Sequence, residues 1–75
     1  MPLLKVSVVA ERVGVLPSTI RYYTRLGLLT TAGKTPGGFS LYDESAVERA
    51  TEIRRLQRDE RLRLDEIADR LQGVA

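Results

Sequence analysis

The 75 residues contain no cysteine and no histidine. That excludes disulfides, thiol chemistry, imidazole bases and the usual zinc ligands, and leaves carboxylate-only metal sites as a formal possibility. Stability therefore has to come from packing. No apolar run approaches the roughly 20 residues of a membrane helix, and the N-terminus has no basic region leading into a long apolar stretch. A soluble, cytoplasmic protein with no membrane partner is expected. A chain this short buries only about 60 to 65% of the surface its unfolded form exposes, so one small core and a single domain over residues 1–75 are expected. Chemistry is equally scarce: with no His, no Cys and no separated acid pair, neither a catalytic residue nor a cofactor or metal site is expected, and the protein does not read as an enzyme. Asp65, Glu66 and Asp69 lie together near the C-terminus but away from the local apolar stripe, as solvated acids do.

What is present is unevenly distributed. The net charge of +2 is modest, yet residues 1–42 carry Lys5, Arg12, Arg21, Arg25 and Lys34 against the single acid Glu11, a balance of +4. Residues 43–75 carry seven Arg against nine acids, a balance of −2. A basic front and a charge-mixed back suggest that a polyanion faces the front.

Apolar periodicity begins at once. Val6, Val9, Ala10 and Val13 fall at i, i+3, i+4 and i+7, with Ser7 placed to cap the first turn. Gly14 can adopt the left-handed conformation that ends a helix, and Pro17 suits the first turn of the next. The second helix is expected at residues 17–26, before Gly27. Ser18, Arg21, Tyr22 and Arg25 share one stripe of it, and Thr19, Ile20, Tyr23 and Leu26 the opposite, core-side one. A strand at residues 28–31, a glycine-rich loop at 33–38 with Lys34 at its tip, and a strand at 39–42 make a hairpin. Asp43 can cap a third helix whose inner face is Ala46, Val47, Ala50, Ile53 and Leu56 and which ends near Asp59 or Glu60. Leu64, Ile67, Ala68 and Leu71 repeat the spacing in a fourth helix, with Gly73 ending the pattern. The expected fold is mostly α: a helix-turn-helix, a short two-stranded β wing over about residues 30–42, and a C-terminal helix pair.

Function is concentrated in the second helix and the hairpin. Arg21 and Arg25 can bind guanine edges bidentately or pair with phosphate, and the Ser18 and Tyr22 hydroxyls can reach backbone oxygens. A solvated amphipathic helix would show a similar stripe, but this one contains no acid. Lys34 and the glycines beside it allow the hairpin to approach a phosphate closely. Helix-turn-helix followed directly by such a hairpin is more specific than either piece.

In order and spacing, Ser18-Thr19-Ile20-Arg21-Tyr22-Tyr23, Gly27-Leu28-Leu29, Gly38-Phe39, Leu41-Tyr42-Asp43 and Leu64-Asp65-Glu66-Ile67 resemble the N-terminal domain of MerR-family regulators over roughly residues 5–71. The resemblance implies sequence-specific binding of double-stranded DNA in transcription regulation, with the second helix in the major groove and residues 34–40 against the backbone. The candidate DNA-contacting residues are Ser18, Thr19, Arg21, Tyr22, Arg25, Lys34, Thr35, Phe39 and Ser40. It also implies a homodimer on pseudo-palindromic promoter DNA, RNA polymerase as a partner, and readout of DNA deformability. Two alternatives stay open: an excisionase-like or architectural DNA-binding accessory, and a protein-interaction modulator built on the same domain.

Some positions depart from that family pattern. The usual Gly-Tyr-Arg of the wing is Gly38-Phe39-Ser40, so a cation is missing. Leu16 replaces a capping Ser, forfeiting about 1 kcal/mol, though Val15 and Leu16 offer a small apolar corner instead. Arg61 stands where a Gly is usual, so either it adopts a left-handed conformation or the third helix runs on. Arg61 and Arg63 are candidates for a second wing or for plain solvated charge. Family regulators continue into a dimerisation helix and an effector domain, and the four residues after Leu71 hold neither.

Overall fold

The computed structural model describes residues 2–71, and the expected role of Gly73 falls outside them. Along the chain it runs β1 (Leu4–Lys5), α1 (Val6–Val13), α2 (Pro17–Arg25), β2 (Gly33–Lys34), β3 (Ser40–Tyr42), α3 (Glu44–Asp59) and α4 (Leu64–Leu71). α1 ends at Gly14, whose φ of 88° lets its N–H and that of Val15 both return to the Ala10 carbonyl. α2 opens on Pro17 and closes at Gly27, φ 82°, where the Leu28 N–H reaches back to the Tyr23 carbonyl. These two glycine turns set the path of the helix-turn-helix.

The core forms where α1, α2 and α3 meet. Ala10 on α1 and Ala46 and Ala50 on α3 are small enough for the helices to come close, and Val9, Ile20, Ile53 and Leu56 fill the space around them. Ile67, fully buried, docks α4 onto this core. Among the described residues no buried side-chain polar atom lacks a hydrogen-bond partner.

The wing hairpin is present, with details that differ from expectation. Residues 28–31 form no strand. Leu28 and Leu29 are buried immediately after α2, and the Leu28 carbonyl accepts from Arg49 Nε at 2.8 Å, so their backbone groups serve the helix end instead of a ladder. Cross-strand bonding starts at Ala32 N–H to the Leu41 carbonyl, and β2 and β3 then pair with Lys34 opposite Ser40. Lys34 consequently lies in β2 and not at the tip. An unforeseen strand, β1, pairs with the other side of β3, placing Leu4 opposite Tyr42, and the wing becomes a three-stranded sheet in the order β1-β3-β2. Because the chain before α1 is tied into this sheet, Lys5 is the N-cap residue of α1 and makes no side-chain cap; Ser7 is inside the helix and caps nothing.

α3 begins as expected, with the Asp43 carboxylate accepting from the backbone N–H of Ser45 at 2.9 Å and from its hydroxyl. At its end Arg61 takes φ 54°, the left-handed alternative, and the Leu62 N–H returns to the Leu56 carbonyl. Glu66 then reaches back to the Arg63 N–H at 2.9 Å, half of a capping box for α4.

Two consequences can be measured. Left-handed backbone costs an L-residue roughly 1 to 2 kcal/mol, against roughly 0.5 to 1 kcal/mol for the extra unfolded-chain freedom of glycine. Arg61→Gly should therefore raise stability by up to about 1.5 kcal/mol in urea unfolding, and a clear loss would show that the arginine side chain contributes more than its backbone costs. The hydrogen bonds from Ser45 hold the Asp43 carboxyl below its ordinary value. A folded-state value below the unfolded one, about 3.9, stabilises the fold above that pH, and the contribution disappears as pH falls through the lowered value. Asp43→Ala should melt below the wild type at neutral pH, with the gap narrowing as pH falls below the ordinary carboxylate value of about 3.9; a gap that widens on acidification would reverse the assignment.

Candidate nucleic-acid interface

α2 is held from its inner side by specific partners. Ile20 is fully buried. Tyr23 Oη donates to Gln57 Oε1 of α3 at 2.6 Å; burial raises its pKa, only partly offset by the nearby charge of Arg54. Thr24 Oγ1 donates to the Ile20 carbonyl at 2.8 Å. A hydroxyl has one proton, so in the 2.7 Å contact between Thr24 Oγ1 and Tyr42 Oη it is the tyrosine that donates. α2 is thus fastened to α3 on one flank and to β3 on the other, and its outer side is left to solvent.

The outer side carries Ser18, Arg21, Tyr22 and Arg25, all exposed, with Thr19 half-buried beside them. They do not form one patch. Arg21 leans toward the wing, lining a cleft with Lys5, Ser7, Thr35, Phe39 and Ser40. Tyr22, 46% exposed, lines a separate hollow with Leu26, Leu64 and Asp65 on the α4 side. Leu26 was expected in the core and is instead partly exposed in that hollow, since it follows the last turn of α2. Leu16 likewise forms no packed corner; it is 69% exposed, while Val15 packs against the core. At the wing turn, Phe39 is 71% exposed.

Ion pairs concentrate in the back half of the molecule. Arg12 bridges Glu44 through both carboxylate oxygens, Arg55 pairs with Glu52 and Glu60, Arg63 with Asp65 and Glu66, and Arg70 with Glu60. Among the described residues Lys5, Arg21, Arg25 and Lys34 make no ion pair. Cations without ion pairs on the α2 and wing side make a surface suited to an anion.

Three contributors escaped the sequence reading. Lys5 and Ser7 reach the Arg21 cleft only because β1 joins the sheet. Arg54, without an ion pair among the described residues, belongs to an α3 stripe with Gln57 and Arg58, spaced i, i+3 and i+4. The Tyr23–Gln57 bond sets that stripe beside α2. Helical spacing was its available signal, but mixed charge on a surface helix usually means solvation.

A helix-turn-helix followed by a β hairpin, with unpaired cations on one side, defines the winged helix-turn-helix class of domain. Comparison with known proteins narrows this: the chain belongs to the MerR HTH family of regulatory proteins, which it matches over residues 4–74. It is 39% identical to the mercuric resistance operon regulatory protein of Bacillus cereus over 93% of its own length and 52% of that protein. It is 40% identical to the HTH-type transcriptional regulator CueR of Bacillus subtilis over 92% of its length and 47% of that protein. Among solved structures, the transcription regulator PbrR691 of Ralstonia metallidurans in complex with lead(II) superposes with a TM-score of 0.80 at 33% identity, covering 92% of this chain and 53% of that one. The chain thus spans about half the length of these relatives, which are regulators and not enzymes. Among the described residues no His, Cys, Asp and Glu side chains cluster to hold a metal ion, and no helix is long and apolar enough to cross a membrane.

Proposed function

We propose that residues 1–75 form the DNA-binding domain of a cytoplasmic transcription regulator that binds double-stranded DNA in a sequence-specific way. The observation that carries this reading is the set of four cations, Lys5, Arg21, Arg25 and Lys34, that make no ion pair among the described residues on the side of α2 and the wing, while Arg55, Arg58, Arg63 and Arg70 of the back half each pair with an acid. In this reading α2 enters the major groove. Ser18, Arg21 and Arg25 face base edges or phosphates, Thr19 and Tyr22 meet the strand on the α4 side, and Lys34, Thr35, Phe39 and Ser40 meet the strand on the wing side. Arg54 extends the backbone contact beyond Tyr22. Membership of the family supports two copies bound to a pseudo-palindromic promoter site, with RNA polymerase as the partner that gains from the distorted DNA. With neither cysteine nor histidine, these residues lack the soft donors that ions such as lead(II) select, and no metal-dependent step is assigned to them.

Fluorescence-anisotropy titration against the duplex upstream of the protein's own gene and a scrambled duplex, at low and physiological salt, tests the reading. Preference for the upstream duplex that survives physiological salt supports it. Equal binding that salt abolishes points to architectural use, and no binding to either points to protein contacts. Arg21→Ala should weaken the preferred duplex by roughly 1 to 3 kcal/mol and relax its sequence preference; unchanged affinity removes Arg21 from the interface. Lys34→Ala should weaken all duplexes about equally and flatten the salt dependence by about one phosphate's worth. A loss confined to one sequence would contradict its assignment to phosphate.

A further inference from the structure

Phe39 is the only phenylalanine in the chain, and the fold leaves it 71% exposed. It is nevertheless held in place. The Thr35 N–H donates to the Phe39 carbonyl at 2.8 Å, the Phe39 N–H donates to Thr35 Oγ1 at 3.1 Å, and the Gly38 N–H closes the turn on the Thr35 carbonyl at 2.9 Å. Gly38 at φ 86° makes the turn possible. The ring lies over Gly37, where an added Cβ would stand 3.4 and 3.5 Å from its Cε2 and Cδ2 atoms. It lines the cleft of Lys5, Arg21 and Ser40. The backbone that carries this apolar ring is therefore fixed, and the ring is displayed in one cleft with two cations that make no ion pair among the described residues.

Resting on the DNA reading above, we propose that the Phe39 ring packs on a deoxyribose of the DNA strand that Lys5 and Arg21 draw into this cleft. A phenyl ring has no donor to offer a phosphate. Along a DNA strand the phosphates alternate with sugars, whose carbon faces are the apolar part of the backbone. Cations that attract the phosphates bring the sugars into the same cleft, which Phe39 also lines. The contact adds affinity by burying apolar surface and releases no counterion, so it compensates for the missing wing cation by a route that salt does not screen.

The test uses the 75-residue chain and a duplex selected by the wild type from a random pool. Hydroxyl-radical footprinting reports the accessibility of each deoxyribose, and anisotropy titrations at several salt concentrations report affinity and salt slope. Phe39→Ala should bind about three- to tenfold more weakly, as expected for part of a buried phenylalanine, with the salt slope unchanged and protection lost at a short patch of sugars. Phe39→Tyr keeps the ring and should retain both affinity and footprint. Because the side chain is outside the core, Phe39→Ala should melt with the wild type. Wild-type affinity and a complete footprint for Phe39→Ala, beside specific wild-type binding, would overturn the sugar contact and leave the DNA reading standing; so would a loss accompanied by a flatter salt slope. Failure of the wild type to select any duplex would overturn both.

Discussion

The nine residues of α2 are too few to hold a helix in water by themselves, since isolated helices below about 12 to 15 residues are marginal. Its existence depends on the inner side being captured: Ile20 in the core, Tyr23 bonded to Gln57, and Thr24 bonded to Tyr42. These contacts shape the helix and also orient it. With 3.6 residues per turn, fixing Ile20, Tyr23 and Thr24, at i, i+3 and i+4, on the inner side leaves Ser18, Arg21, Tyr22 and Arg25 facing outward. The bond to Tyr42 adds a relation between helix and wing, because Tyr42 belongs to β3, the strand that Leu4 and Gly33 flank. Arg21 and Ser40 share a cleft as a result.

Charge is handled differently on the two sides. Each exposed ion pair of α3 and α4 contributes little to stability, but collectively they cancel the field of the back surface. Apart from Arg12, the front cations make no ion pair among the described residues, so the modest net charge of the chain conceals a directional field. Phe39 fits the same division of labour: cations attract at long range, while an apolar ring acts only on contact. That MerR-family sequence signatures coexist here with a wing lacking its usual cation makes the chemistry of the wing turn the most individual part of this interface.

Much of this arrangement was legible from local signals. Gly14, Gly27 and Asp43 act at the positions their chemistry assigned, and the apolar spacing located all four helices because the core demands one stripe from each. The misreadings share a cause. Ser7 has a capping side chain, but β1 carries the preceding backbone into the sheet, and Lys5 becomes the N-cap residue. Leu28 and Leu29 are β-prone, yet the space beneath α2 and the hydrogen bond from Arg49 claim them. Lys34 sits among glycines and still falls within a ladder, as Ser40 stands opposite it. In each case a partner distant in sequence outweighed a local preference.

The sequence by itself therefore determined the helices, the Asp43 cap, the family and the types of side chain offered to a ligand, since periodicity, turn chemistry and composition are properties of neighbouring residues. Tertiary structure alone decided the company those side chains keep: Arg21 with Lys5 and Phe39, Tyr22 with the α4 hollow, Arg54 beside α2, and which cations find an acid. Those groupings arise from strand pairing and helix docking between residues far apart in the chain, and no local pattern encodes the distance between two surfaces until the core has closed between them.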